Sequence, residues 1–196
     1  MNSVLQQLFM MPAFRKAILE CPKTTNDKLN LYQFIKMLFI NLKNNKGEAC
    51  NASQLCKLIT DFDGQHLSFY EQRDADEFFN LLMDRLEESL KAINHKDLIK
   101  NLLGGTFTNE FICKECSNTS SVKEEFIALN LQIHNKKNVV EALNSFITSE
   151  RLIGNNAYYC DRCNRKVDAE KFVSLGLLPN VLIIALKRFE YNMQEK

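Results

Sequence analysis

The sequence has almost no net charge and no long apolar run, and both absences exclude classes of protein. Its 25 Lys and Arg nearly balance its 24 Asp and Glu, which leaves a formal net charge of +1. A protein that binds nucleic acid through bulk positive charge needs a basic excess, so we expect no nucleic-acid partner. The apolar run Leu38-Phe39-Ile40 is soon followed by Asn41 and Lys43, and we expect no membrane-spanning helix.

The sequence also lacks a basic n-region at Met1-Asn2-Ser3, and this absence predicts that no secretory signal is present. No internal repeat or low-complexity tract occurs. Of the seven cysteines, Cys21, Cys50 and Cys56 stand outside any obvious pair. An odd number of scattered thiols suits a reducing compartment, where cysteine behaves as a small apolar residue. We therefore expect a cytoplasmic or nuclear protein.

Two C-x-x-C pairs carry the clearest chemical signal, Cys113 with Cys116 and Cys160 with Cys163. Two intervening residues let both thiolates of a pair turn toward one point, and two such pairs complete a tetrahedral Cys₄ zinc site. Because residues 117–159 separate the pairs, we expect a zinc ribbon with each pair on separate strands. The alternatives are two disulfides or a redox C-x-x-C, although nothing else indicates an oxidising compartment and a redox motif would not normally occur twice.

The first half of the chain has the apolar spacing of helices. We expect a first helix capped by Ser3 and ending just before Pro12, and a weaker one near residues 52–59 capped by Asn51. Further helices are predicted over residues 14–19, 31–42 and 74–93.

The strongest of these helices begins at Asp74, and its apolar residues fall on one broad face. Phe78 and Leu82 are expected to be buried on that face. Asp74 and Glu77 have the spacing of a capping box, with Asp in place of Ser or Thr. The same stretch also contains Asp76, which is more acid than a cap requires, and such a cluster suits a basic peptide or tail.

The second half of the chain changes to the alternating pattern of strands. Strands are expected over residues 106–112, 121–133, 172–178 and 181–189, with a helix over 138–150 and a turn at 154–156. The run Val181–Leu186 is apolar throughout, which predicts a strand buried on both faces. Helices followed by strands around a zinc ribbon indicate an α+β chain.

The order of these motifs resembles the catalytic domain of the ubiquitin-specific proteases, cysteine proteases that remove ubiquitin. Residues 1–9 are similar to the segment just after the family's nucleophilic cysteine, and residues 72–79 resemble its Gln-x-Asp-Ala-Gln-Glu-Phe box. The two C-x-x-C pairs match the zinc ribbon of its fingers. Residues 178–189 resemble its Leu-Pro…Leu-Lys-Arg-Phe strand.

The resemblance implies a papain-like cysteine protease hand that cleaves the isopeptide bond after the C-terminal Gly of ubiquitin. Residues 1–103 would be the helical thumb, 104–175 the fingers with a structural Zn²⁺, and 176–196 the start of the palm. Ubiquitin and ubiquitinated proteins would be the partners. In the family the Asp of the second box contacts the basic ubiquitin tail, a role that carries over to Asp74, with Glu77 as a helper. Asp76 stands where the family usually has Gln.

The resemblance assigns no catalytic residue to this chain. It places the nucleophile two residues before Met1 and the general-base His beyond Lys196, so we expect the chain as given to be inactive. Cys21 has no neighbour that would activate it. The three histidines do not occupy the family's catalytic position: His66, His95 and His134.

Two other interpretations remain. The first is a non-catalytic ubiquitin-binding relative of the family. The second is a zinc-ribbon module that binds nucleic acid, against which the balanced charge speaks.

Overall fold

The polypeptide divides into a helical unit, Met1–Leu102, and a unit dominated by strands, Leu103–Lys196. The computed structural model describes residues 1–22, 30–44, 49–61 and 63–188. Helices followed by strands confirm the expected mixed α and β character of the chain. In the described ranges, no helix combines the length and the hydropathy needed to cross a membrane.

The first unit is built from short helices around two longer amphipathic ones. The helices are α1 (Asn2–Met10), α2 (Pro12–Glu20), α3 (Leu31–Asn44), α4 (Leu55–Leu58), α5 (Ala75–Lys91) and α6 (Leu98–Leu103). Helix α5 packs against α1 and α3. The break between α1 and α2 falls at Met11, just before Pro12, as expected from the restriction that proline places on the preceding residue.

The core of the first unit is formed by the apolar stripes of α3 and α5. Phe78 and Leu82 are 2% and 0% exposed, which confirms their assignment to the inner face of α5. Ile35 and Phe39 of α3 are also fully buried, and the Phe39 ring makes an edge contact with Phe14. The helical period of these apolar residues therefore predicted the buried face correctly.

Three local predictions for the first unit are wrong. Ser3 lies inside α1, which begins after Met1 without a side-chain cap. Asn51 accepts a hydrogen bond from the amide of Ser53 in a turn, so the following helix starts later and runs only from Leu55 to Leu58. Asn and Ser side chains bond to nearby amides in turns as readily as at helix starts, and spacing alone does not distinguish the two. Helix α6 was not predicted.

In the part of the chain that the structure describes, the second unit contains three small sheets and one α-helix. Its elements are β1 (Gly105–Cys113), β2 (Thr119–Phe126), β3 (Leu129–Gln132), α7 (Val139–Ile147), β4 (Glu150–Leu152), β5 (Tyr158–Cys160), β6 (Arg165–Val167), β7 (Ala169–Leu175) and β8 (Ile184–Lys187). The largest sheet has the order β2-β1-β7-β4 and is antiparallel. Strands β5 and β6 form an antiparallel hairpin, and β3 pairs with β8 in parallel.

Asn138 is the N-cap of helix α7, and its side-chain oxygen accepts a hydrogen bond from the amide of Glu141. Its buried Ala142 joins a small core with Phe126, Leu129 and Leu131. This core lies against the end of the large sheet, so the sheet and the helix share one apolar cluster.

Two strand predictions need correction. The predicted strand 121–133 is two strands, because the chain bends at residues 127–128 and continues as β3. The run Val181–Leu186 is not buried on both faces: Leu182 is 37% exposed and its neighbours are partly exposed. Strand β8 has a single partner, β3, among the described residues, so the second side of the strand has no neighbouring strand there. Phe189, the end of that prediction, lies outside the described residues.

Candidate functional site

The four paired cysteines meet at the tips of two hairpins in the second unit. Cys113 ends β1 and Cys116 lies in the turn before β2, while Cys160 ends β5 and Cys163 lies in the turn before β6. The four sulfur atoms lie within 4.8 Å of one another. The Sγ atoms of Cys113 and Cys163 are 3.9 Å apart, and those of Cys116 and Cys160 are 3.6 Å apart. The pairs thus stand on separate strands, as the sequence predicted.

Both hairpin tips have the same backbone geometry. The amide of Ser117 donates to the carbonyl of Cys113 at 3.1 Å, and the amide of Asn164 donates to that of Cys160 at 2.8 Å. Ser117 and Asn164 each follow the second cysteine of a pair, with φ of 54° and 53°. Such left-handed backbone is uncommon for residues other than Gly. Its occurrence at equivalent positions turns each pair of sulfurs toward the shared centre.

Interactions beside the cysteines join the two hairpin tips. The Arg165 guanidinium donates to the Glu115 carboxylate at 2.5 Å. Glu115 lies between the cysteines of the first pair, and Arg165 follows the second pair, so this bond links the two tips. The rings of Phe111 and Tyr158 stack with their centroids 5.2 Å apart and nearly parallel. Each contact joins the first hairpin to the second, so the sulfurs are held from both sides of the cluster.

The surroundings of the thiols favour a mixture of protonation states. Hydrogen bonds from backbone amides, that of Cys116 first, lower the pKa of the Cys113 thiol to about 7. Hydrogen bonding with Cys116 and the other thiols raises the pKa of Cys163 to about 12, because it favours the protonated form. A divalent cation would stabilise all four thiolates, since metal coordination deprotonates a thiol outright.

The sulfur geometry excludes the disulfide interpretation of the C-x-x-C pairs and suits a metal site. A disulfide requires an S–S distance of about 2.05 Å, and the sulfurs lie well beyond it. A tetrahedral site with Zn–S bonds of about 2.3 Å places its sulfurs about 3.8 Å apart, close to the two distances observed. The four cysteines are therefore close enough to hold one metal ion.

A second candidate site lies in the first unit, at the start of α5. Asp74 is the N-cap, and its Oδ1 accepts from the amides of Asp76 at 2.7 Å and Glu77 at 3.4 Å. This confirms the capping interpretation. In a complete capping box the Glu77 side chain would accept a hydrogen bond from the Asp74 amide. Here Glu77 Oε1 pairs with Arg73 at 3.4 Å instead. Asp74 and Glu77 are both exposed, so their outer oxygens can reach a ligand.

Comparison with known proteins supplies the context for both sites. The sequence model of a family described as ubiquitin carboxyl-terminal hydrolase matches residues 1–196, the whole chain. The chain belongs to the ubiquitin carboxyl-terminal hydrolase family. The family has a papain-like fold, and the recognition made from the motifs is confirmed.

Large hydrolases of this family are among the similar proteins. Ubiquitin carboxyl-terminal hydrolase 9X of Mus musculus is 41% identical over 133 residues, which are 68% of this chain and 5% of the relative. Ubiquitin carboxyl-terminal hydrolase 24 of Homo sapiens is 32% identical over 99% of this chain and 7% of the relative. Ubiquitin carboxyl-terminal hydrolase 34 of Homo sapiens is 34% identical over 97% of the chain and 5% of the relative. The chain thus spans only a small fraction of the length of the curated relatives it matches.

Two of the three thiols outside the pairs, those of Cys21 and Cys56, lack the features of a family nucleophile. Cys21 and Cys56 are buried, 2% and 5% exposed. Burial raises the pKa of both thiols, and the nearby Lys36 only partly opposes this for Cys21. A nucleophilic thiol needs a lowered pKa and access to substrate. Neither residue therefore meets the requirements of the hydrolase reaction.

Sequence reasoning missed one residue of the acidic site, Arg73. It lies inside the Gln-x-Asp-Ala-Gln-Glu-Phe box at the variable position, where the motif carries no information. Its location one residue before an N-cap, four residues before Glu77, was a usable signal, because residues four apart near a helix start lie close together.

Proposed function

We propose that this chain is part of a deubiquitinating thiol hydrolase, one that cleaves the isopeptide bond after the C-terminal Gly of ubiquitin. The observation that carries the proposal is the family match across residues 1–196, which includes both sites. Ubiquitin and ubiquitinated proteins are then the partners. The first unit would supply the thumb, the cysteine-bearing hairpins the fingers, and the segment from 176 onward the start of the palm.

Recognition of a basic ubiquitin tail at the start of α5 would rest on charge-assisted hydrogen bonds. Asp74 uses Oδ1 for capping, and its Oδ2 has no hydrogen-bond partner among the described residues. The amides at the helix start fix the carboxylate in place, so little side-chain entropy is lost when an arginine binds. Capping and tail recognition therefore use different oxygens of one carboxylate and are compatible.

The four cysteines would hold a structural zinc ion. Thiolate sulfur is the ligand type that suits zinc, and a closed set of four leaves no position for substrate. When bound, the ion would supply a cross-link between two hairpins that are distant in sequence. Cys113, Cys116, Cys160 and Cys163 would then keep the large sheet and the β5–β6 hairpin together, and the ion would take no part in bond cleavage.

Residues 1–196 on their own would bind ubiquitin without cleaving it, because the motif comparison assigns no nucleophile, base or oxyanion donor within them. The scattered thiols, none in a disulfide among the described residues, support a cytoplasmic or nuclear location.

The decisive test is Asp74→Asn, measured by ubiquitin binding to the full chain. Asn keeps the capping oxygen but removes the charge, so the free energy of unfolding should change by no more than about 1 kcal/mol. Loss of one hydrogen bond to a charged group should weaken binding by about 1.5 kcal/mol, roughly tenfold.

Asp84→Asn is the matched control, because Asp84 is an exposed carboxylate in the middle of the same helix. That variant should bind ubiquitin as the wild type does. Unchanged binding in Asp74→Asn would return Asp74 to a purely structural role.

A further inference from the structure

Arg73 lies among three carboxylates at the start of α5. Its guanidinium is 3.4 Å from Glu77 Oε1, 3.4 Å from Glu71 Oε2 and 3.9 Å from Asp61 Oδ2. The side chain is only 25% exposed, and its Nε is buried without a hydrogen-bond partner among the described residues. A long, otherwise mobile side chain is thus held in one place by contacts on several sides.

One of these partners, Asp61, belongs to a hydrogen-bonded turn. Asp61 Oδ1 accepts hydrogen bonds from the amides of Asp63 and Gln65, and the Asp61 amide donates to the Gln65 carbonyl at 2.8 Å. Arg85 of α5 donates to the Thr60 carbonyl at 3.1 Å, so the turn is also attached to the middle of the helix. Arg73 therefore connects a fixed turn to the exposed carboxylate of Glu77.

We propose that Arg73 is a positioning residue that orients Glu77 for the basic tail of ubiquitin. This inference rests on the proposed function. Arg73 contacts Glu77 through Oε1, which leaves Oε2 to accept a hydrogen bond from an incoming arginine. The Glu77 side chain is 59% exposed and would otherwise sample several rotamers. Holding it in advance reduces the entropy lost when the tail binds.

The positive charge of Arg73 should weaken the binding of a basic tail, whereas its positioning of Glu77 should strengthen that binding. This difference makes the proposal testable. A cation beside the acidic residues repels a basic ligand, so charge alone predicts tighter binding when Arg73 is replaced by a neutral residue. Positioning predicts weaker binding for the same substitution. The sign of the change therefore separates the two roles.

The experiment measures the affinity of fluorescently labelled ubiquitin for the full chain, with Arg73→Gln, Glu77→Gln and the double variant. We expect Arg73→Gln to weaken binding about two- to fivefold, the size of one partly exposed ion pair. Glu77→Gln should also weaken binding. Adding Arg73→Gln to Glu77→Gln should not weaken binding further, because Arg73 strengthens binding through Glu77.

Three further measurements separate positioning from general damage. Arg85→Gln tests loosening of the turn, because Arg85 donates to the Thr60 carbonyl and pairs with Glu88 rather than with Glu77. Its loss of ubiquitin affinity should be smaller than that of Arg73→Gln. Arg73→Lys should recover part of the lost affinity, because lysine keeps the charge but not the planar fork that reaches several carboxylates. The loss in Arg73→Gln should persist at about 300 mM NaCl, where long-range charge effects are screened.

The outcomes distinguish failure of this inference from failure of the proposed function. Equal or tighter binding of Arg73→Gln, with weaker binding of Glu77→Gln, would overturn the positioning role alone. Equal loss of affinity in Arg85→Gln would also overturn it, in favour of general loosening of the turn. If neither Asp74→Asn nor Glu77→Gln changed ubiquitin binding, the tail-recognition site itself would be refuted.

Discussion

Replacement of Leu82 by alanine should destabilise the helical unit more than most single substitutions. Leu82 is 0% exposed on the inner face of α5, which packs against α1 and α3. The substitution removes three buried carbon atoms, worth about 2.4 kcal/mol at about 0.8 kcal/mol each. The cavity that remains adds to this loss, because close-packed neighbours relax only partly. We expect the free energy of unfolding to fall by about 3–4 kcal/mol.

Thermal unfolding followed by far-UV circular dichroism suits this prediction, because most helices of the chain belong to the first unit. For a unit of this size, a loss of about 3 kcal/mol lowers Tm by roughly 15 °C. Asp84→Ala is the matched control: it introduces the same residue at an exposed position of the same helix, where alanine has the higher helix propensity. Its Tm should equal or slightly exceed that of the wild type. A shift below about 4 °C in Leu82→Ala would contradict the burial argument.

Three further predictions concern the second unit and the reaction. Elemental analysis should find about one zinc per chain. The zinc should be lost in Cys113→Ser and retained in Cys50→Ser, and full retention of zinc in Cys113→Ser would disprove the site. Residues 1–196 alone should not turn over a fluorogenic ubiquitin C-terminal amide, and turnover would show that they contain a nucleophile after all. Lys114→Met should raise the pKa of Glu170, which the hydrogen bond from Lys114 lowers. That bond stabilises the fold above the carboxyl pKa of the unfolded chain, about 4.3, and the stabilisation is lost as the pH falls through the lower carboxyl pKa of the folded protein. The free energies of unfolding of Lys114→Met and the wild type should therefore differ near neutral pH and converge in acid.

Local patterns predicted those parts of the protein whose structure depends on neighbours in sequence. The apolar period over 74–93 placed the buried face of α5 and its cap correctly, because residues three and four apart share a helix face. The same reasoning failed at Ser3 and Asn51, where a short polar side chain had more than one local partner available. The short strands β5 and β6 escaped prediction, since three residues are too few to show an alternating pattern.

The sequence by itself determined the local geometry of each C-x-x-C pair, because two intervening residues let the two thiolates of a pair turn toward one point. It also determined the acidic cap of α5. Only the tertiary structure decided how the pairs meet, since residues 117–159 separate them. The register of β1 with β7 places Cys113 opposite Ala169, close in sequence to the second pair, and the Sγ atoms of Cys113 and Cys163 are 3.9 Å apart. Tertiary structure also selected Asp61 as a partner of Arg73. Ion-pair choice depends on the distance between elements that are remote in the chain, and a linear motif does not contain that distance.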